Sequence, residues 1–300
     1  MKTLVRLGMA FAVAATVLAG LDASTVGAQP VAAGCGSVIT EDTRLTRDLK
    51  DCTNGLGVAG NGITLDLGGH TISGIGTSDG GTVGVEVTGQ GVTVKNGVIT
   101  GFGTGVHGFA SFHLQSLKVV GNGTGVGLFF AGSLFTTDSS IESSHIDGNS
   151  KYGIEVGRAG IVVANSSVRK NGSDGVLQIE ATALYSNNDI SQNGGNGIYA
   201  SDPYTFTGGL FGNTLNDNGG SGYRFEERYL DAYPHLENNR ANRNAQLGFG
   251  LFGNTGSTAN LDGGGNSAKG NGDARQCVVQ DQTNPIPPNT LACNKNPGGP

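Results

Sequence analysis

The chain has 300 residues, 54 of them glycine and none tryptophan, with a formal net charge of −6. An acidic chain with scattered cations lacks the basic stripe that nucleic-acid binding requires. Leu, Val, Ile and Phe recur throughout, which excludes a disordered Gly-rich tract.

Residues 1–28 read as a secretory signal peptide. Lys2 and Arg6 form a positive start, Gly8 to Gly20 a short apolar core, and Val26-Gly27-Ala28 a small-residue cleavage site. The apolar run is too short to cross a bilayer and no later stretch is long enough, so no membrane span is expected. Loss of the leader removes Lys2, Arg6 and Asp22, two cations and one anion, and takes the formal charge from −6 to −7. The expected location is outside the cytoplasm, extracellular or periplasmic.

Residues 29–59 are expected to form an N-terminal cap with the first strands. Within them, Ala32-Ala33-Gly34-Cys35 has the outline of a lipidation site. It lies well past the apolar core and lacks the usual upstream Leu. Export favours disulfides instead. Four cysteines allow three connectivities, and separations of 17 and 16 residues favour Cys35–Cys52 and Cys277–Cys293. No Cys-x-x-Cys or nearby His supports a zinc site.

Residues 60–273 carry a repeat. Gly84, Gly105, Gly125, Gly153, Gly175, Gly197, Gly222 and Gly248 each precede an apolar residue, at spacings of 21, 20, 28, 22, 22, 25 and 26. A period in that range indicates a solenoid. After each Gly the residues alternate, as in Ile154-Glu155-Val156 and Tyr223-Arg224-Phe225. That is strand periodicity, with the first and third positions inward and the second outward. Gly and Asn density excludes helical repeats, and the Leu spacing of leucine-rich repeats is absent. The predicted fold is all-β, a single-stranded right-handed parallel β-helix of roughly nine or ten coils, its handedness resting on the parallel-crossover rule together with the family resemblance given below. Residues 274–300 are expected to form a C-terminal cap and tail.

An Asn stands four residues ahead of the repeated Gly at 149, 171, 193, 218 and 244, with Asn271 continuing the series. Stacked coils would align these side chains in a hydrogen-bonded ladder. Asn and Gly also tolerate the left-handed conformations that sharp corners demand. A second series, Asn165, Asn188, Asn213, Asn239 and Asn266, marks another corner. Both series are read as structural.

With "NGITLDLGGHTISGIG" (61–76) and "GGGNSAKGNGDARQC" (263–277), the chain resembles the right-handed parallel β-helix repeat proteins of the pectin-lyase-like superfamily. The resemblance covers about residues 35 to 293. Relatives of this kind are secreted or periplasmic, and many act on or bind polysaccharides. They include lyases, alginate C5-epimerases, glycoside hydrolases and a protein of nitrous-oxide-reductase maturation. The resemblance implies a polysaccharide partner and specifies fold far better than activity.

His70, in the first of these phrases, is read as a structural residue of the first coils, with Leu65, Leu67 and Ile72 facing inward. The outward position two residues after each Gly gives Glu86, His107, Gly127, Glu155, Leu177, Tyr199, Arg224 and Gly250. Three residues further come Arg158, Glu180, Asp202 and Glu227. Coils about 4.8 Å apart would set Glu180, Asp202 and Glu227 in a column of carboxylates. Such a column suits calcium, which takes oxygen ligands. The competing reading is a solvated acidic stripe balanced by Arg158, Arg224 and Arg228.

From Gly to the ladder Asn, the coils starting at Gly153 and Gly175 use 18 residues, whereas those starting at Gly197, Gly222, Gly248 and Gly125 use 21, 22, 23 and 24. If the excess follows the repeated strand, loops wall a groove over the two short coils. The groove residues are then Arg158, Tyr199, Tyr204, Arg224 and Tyr233, whose rings and charges suit sugar units. The inventory fits elimination or epimerisation of an acidic polysaccharide, in which a base removes the C5 proton beside a neutralised carboxylate. Arg228, Tyr229 and His235 are the candidate catalytic residues. The Asp-Pro-His motif of alginate epimerases is only partly matched by Asp202-Pro203-Tyr204 and Tyr233-Pro234-His235, and no Lys lies nearby. Two other readings stand beside this one: a hydrolase, although the polygalacturonase-type motifs are missing, and a non-catalytic glycan-binding or surface rod. A monomer is expected.

Overall fold

The computed structural model describes residues 29–30, 33–76, 81–129, 139–201, 208–226, 234–253, 261–281, 291 and 293. The expected signal peptide lies outside them. The repeated Gly opens a short strand in the coils from Gly84 to Gly248. These strands, with Val38–Ile39 and Leu56–Val58 before them and Cys277–Asp281 after, stack in chain order into one eleven-stranded sheet. Strands that follow in the same coils, such as Val92–Thr100, Gly160–Ala164 and Asp262–Gly264, build a thirteen-stranded sheet. A third column is joined by single bridges through Lys118, His145, Ser167, Asp189, Thr214, Arg240 and Ser267. Every strand pair is parallel, and the chain makes about nine turns of a parallel β-helix. Residues 29–59 contribute the first strands, and the segment expected as C-terminal cap and tail contributes the last, Cys277–Asp281.

Inside each coil the alternation holds. Ile154, Val156, Val176 and Ile198 are fully buried, while Glu155 and Tyr199 between them reach solvent. Leu65, Leu67 and Ile72 are also fully buried, and His70 beside them is half-exposed, its Nδ1 3.3 Å from Asp48 Oδ1. Gln178 breaks the apolar rule at an inward position. Its Nε2 donates to the Ala181 carbonyl at 2.5 Å, and the buried Tyr185 hydroxyl donates to its Oε1 at 3.1 Å. These bonds offset the cost of burying an amide.

The Asn ladder forms. Each side-chain Nδ2 donates to the next Oδ1, from Asn122 through Asn149, Asn171, Asn193, Asn218 and Asn244 to Asn271, at 3.0–3.2 Å. Gln276 Oε1 takes the last donor at 2.9 Å. The same amides also pair with backbone, as where Asn193 Oδ1 accepts from the Asn171 N–H and its Nδ2 donates to the Val168 carbonyl. Every rung but the last is at most 3% exposed, so these bonds satisfy backbone that water does not reach.

Two details depart from the expected corner chemistry. The ladder Asn residues and the repeated Gly residues do not adopt the left-handed conformation; the residue before each Asn does, including Gly148, Lys170, Gln192, Asp217 and Arg243. Gly is required for closeness instead. A Cβ on Gly175 would stand 2.6 Å from both Asn193 Nδ2 and the Gly197 carbonyl oxygen. In the second series, Asn188, Asn213, Asn239 and Asn266 form a ladder at 3.0 Å, but Asn165 is the left-handed corner (φ 51°) and Ser166 holds the buried position.

Disulfides Cys35–Cys52 and Cys277–Cys293 close the two ends, with Cα separations of 5.4 and 6.3 Å. The pairing excludes lipidation at Cys35. No helix of the described residues is long and apolar enough to cross a membrane.

Candidate functional site

The register of the eleven-stranded sheet builds an outward column residue by residue. Glu86 pairs with His107, His107 with Gly127, then Glu155, Leu177, Tyr199, Arg224 and Gly250 follow in turn. This is the column expected from the second position after each Gly. A parallel outward column stands two residues further on: Phe129, Gly157, Ile179, Ser201, Glu226 and Phe252. It carries apolar and charged groups that the reading by threes passed over.

Tyr199 and Arg224 converge on Glu226. The Tyr199 hydroxyl donates to Glu226 Oε2 at 2.8 Å, and Arg224 Nε donates to Oε1 at 2.7 Å. Arg224 Nη2 bonds the same oxygen. The guanidinium carbon lies 5.2 Å from the Phe252 ring centroid, a cation–π distance. Burial and the Glu226 carboxylate both push the Tyr199 hydroxyl above its ordinary pKa, so it is a hydrogen-bond donor and not a base at neutral pH. In the same column, burial raises the Glu155 carboxyl, and Lys151 opposes that shift. A carboxyl so placed holds its proton to higher pH and is suited to donate it.

The corner after this sheet is where coil length varies. Ile154–Gly157 and Val176–Ile179 are followed almost at once by Gly160–Ala164 and Thr182–Ser186. Residues 202–208 and 227–234 separate the corresponding strands of the next two coils, and 130–138 and 254–261 do so in the coils that end at Phe129 and Gly253. All four insertions thus leave the same corner, flanking two short coils. At the short coils, Arg158 and Glu180 occupy the corner with left-handed φ of 51° and 47°, and Arg158 Nε donates to Glu180 Oε2 at 2.6 Å.

Of the residues expected to carry function, the structure brings Tyr199 and Arg224 together and pairs Arg158 with Glu180. Asp202, Tyr204, Glu227, Arg228, Tyr229 and Tyr233 lie outside the described residues. His235 opens a strand of the thirteen-stranded sheet, a different face from Tyr199 and Arg224. There its ring stands 5.4 Å from Phe211, and its Nε2 lies 3.6 Å from Glu237 Oε2. Gly263 gives that ring its space, since a Cβ there would stand 2.4 Å from His235 Nε2. Among the described residues no group of three or more His, Cys, Asp or Glu side chains is arranged to hold a metal ion.

The family model described as "right handed beta helix region" matches residues 131–291, more than half of the chain. The chain belongs to the right-handed β-helix family. The match agrees with the handedness expected for parallel crossovers. No curated protein sequence matches the chain. Among solved structures, this β-helix is similar to pectate lyase Pel9A, at 15% identity and a TM-score of 0.51, over 83% of this chain and 68% of that one. It is also similar to the A-module of mannuronan C-5 epimerase AlgE4 of Azotobacter vinelandii, at 14% identity and a TM-score of 0.47, over 85% and 78% of the two chains. At these identities the likeness is one of fold.

Proposed function

We propose that this β-helix is an exported protein that binds an acidic polysaccharide along the outward face of its eleven-stranded sheet. We further propose that it removes the C5 proton of a uronate unit there, by elimination or epimerisation. The observation that carries the reading is the Tyr199–Glu226–Arg224 cluster, set beside the corner from which four insertions leave. Arg224, now paired with Glu226, would have to exchange that carboxylate for the uronate carboxylate, and so offer the cation needed when the adjacent proton is lost. Tyr199 offers a flat ring with a polar tip, which suits a pyranose face and its hydroxyls. The fold that it shares with a pectate lyase and a mannuronan epimerase is compatible with this assignment. The two disulfides agree with export.

The base is proposed to come from the insertion after Tyr223–Glu226, as Arg228 or Tyr229; His235, on the thirteen-stranded sheet, does not share that face. Calcium is proposed only as an ion of the insertions: of its three expected ligands Glu180 is already held by Arg158 at 2.6 Å, and Asp202 and Glu227 lie outside the described residues. A purely binding role is the second reading. It is favoured by the ion pairs of both Arg158 and Arg224, which tie these side chains into a rigid polar face.

Incubation with polygalacturonate, alginate and other uronate polymers separates these readings. Ultraviolet absorbance from unsaturated products supports elimination, and inverted C5 configuration by NMR without absorbance supports epimerisation. Retention on a polymer without either change leaves the binding role. No retention and no turnover on any polymer contradicts the proposal.

A further inference from the structure

The same sheet carries a second feature, four coils before Tyr199. His107, Phe109 and Phe129 form a cluster of rings on its outward face. The His107 and Phe109 centroids are 4.4 Å apart at 59°, and His107 and Phe129 are 6.2 Å apart, edge to face. Phe109 is 45% exposed, one of few large apolar side chains so placed. Gly157 makes room for the rings, since a Cβ there would stand 2.9 Å from Phe129.

The chemistry around the rings is selective. Glu86 is paired in register with His107 and supplies carboxylate acceptors at their border. No Lys or Arg occupies an outward position of the strands Val83–Val87, Thr104–Gly108 and Thr124–Phe129. Burial holds the His107 imidazole below its ordinary pKa, with Glu86 opposing, which keeps the ring neutral at physiological pH. The surface therefore offers apolar faces and neutral polar atoms, bordered by the carboxyl groups of Glu86 on one side and Glu155 on the other.

We propose that this platform is a subsite for an uncharged pyranose unit, four coils from the near edge, at Tyr199, of the Tyr199–Arg224 subsite for an acidic one. The inference rests on the glycan-binding reading above and adds the class of ligand: a heteropolymer with neutral and uronate units on one strand. Aromatic faces pack against the C–H faces of a sugar ring, while Glu86 accepts from its hydroxyls. A uronate at the same place would meet Glu86 with no cation to offset the repulsion. Coils repeat at about 4.8 Å, so the two subsites lie about 19 Å apart along the axis, and a short oligosaccharide cannot fill both. The platform is continuous with the Tyr199–Arg224 column, so one extended chain reaches both without changing face.

The test is affinity electrophoresis of the full chain in gels containing galactomannan, polygalacturonate or glucuronoxylan, which offer neutral units only, acidic units only, or both. Glucuronoxylan should retain the wild type most strongly. Phe109→Ala should weaken that retention roughly three- to tenfold, the scale of one aromatic contact, and leave polygalacturonate retention nearly unchanged. Phe109→Tyr should restore it. Phe109 is exposed, so the variant retains its fold, which circular dichroism verifies. Unchanged glucuronoxylan and galactomannan retention in Phe109→Ala, with loss in Arg224→Ala, overturns the platform and leaves the glycan reading intact. A changed sedimentation coefficient with unchanged retention makes the platform a contact between copies and also overturns it. Absence of wild-type retention by all three polymers removes both readings.

Discussion

Asn193 is where the ladder is best cut. Its Oδ1 accepts from the Asn171 backbone amide at 3.1 Å and from the Asn171 side-chain amide at 3.0 Å. Its Nδ2 donates to the Val168 carbonyl at 3.0 Å and to Asn218 Oδ1 at 3.1 Å. Alanine removes all four bonds at a site 2% exposed. Some partners keep a second bond: Asn171 Nδ2 still reaches the Ile146 carbonyl at 3.1 Å, and Asn218 Oδ1 still accepts the residue 193 amide at 3.0 Å. The Asn171 N–H and the Val168 carbonyl are left without these partners. Two such buried groups at about 1–3 kcal/mol each give a loss of about 2–6 kcal/mol. The control is Asn165→Ala, at an exposed left-handed corner, which should cost about 1–2 kcal/mol of backbone strain. Urea unfolding followed by far-ultraviolet circular dichroism measures both, and an unchanged m-value shows that the two variants unfold the same surface. Repeat arrays can lose cooperativity, so amide exchange in the adjacent coils should accompany the melts. An Asn193→Ala loss no larger than that of Asn165→Ala would refute the reasoning.

Four further outcomes follow from the geometry. Gly175→Ala should destabilise by about 1–3 kcal/mol through overpacking against Asn193 and the Gly197 carbonyl. Gly148→Ala, with open space but φ of 66°, should cost only the strain of about 1 kcal/mol, as read by the same melts. The Glu155 carboxyl has a raised folded pKa, so its contribution to stability is present below the ordinary carboxyl range and is lost as pH rises through the folded value. Glu155→Gln should therefore melt higher than wild type at pH 7, with the difference fading toward pH 4. Cys277→Ser opens a loop of 16 residues and should cost up to about 3 kcal/mol, with exchange protection lost first around Cys277–Asp281.

Much of the scaffold was legible because burial and register imposed a simple rule. The alternation over the three residues after each Gly identified Ile154 and Val156 as core and Glu155, Tyr199 and Arg224 as outward, and the parallel ladders place them so. The second outward column was missed because the reading moved from the second position to the fifth. That step lands on the corner at Arg158 and Glu180 and skips Phe109, Phe129, Glu226 and Phe252, which strand alternation would have placed outward. The role of the repeated Gly was harder to see. A glycine required by a neighbour one coil away has no local signature that separates it from a glycine required by positive φ. Asn165 misled for a related reason: Ser166 can fill the buried rung with its hydroxyl, which donates to the Ala164 carbonyl at 2.8 Å. His235 shares an insertion with the expected groove in sequence, but the chain crosses to the other sheet before reaching it.

The central claim is that a glycan lies on the outward face of the eleven-stranded sheet. It is tested most directly by retention on an acidic polymer of two arginine variants, one on that face and one on the third column. Arg224 belongs to the Tyr199–Glu226 cluster, and Arg240 is exposed on the bridge column. Each substitution removes one positive charge, so a nonspecific electrostatic contribution changes equally in both. The account predicts that Arg224→Ala loses about tenfold or more in affinity for the best-retained uronate polymer, the scale of a charge-assisted contact, while Arg240→Ala binds as wild type. Equal losses in the two variants, or a loss confined to Arg240→Ala, would contradict it.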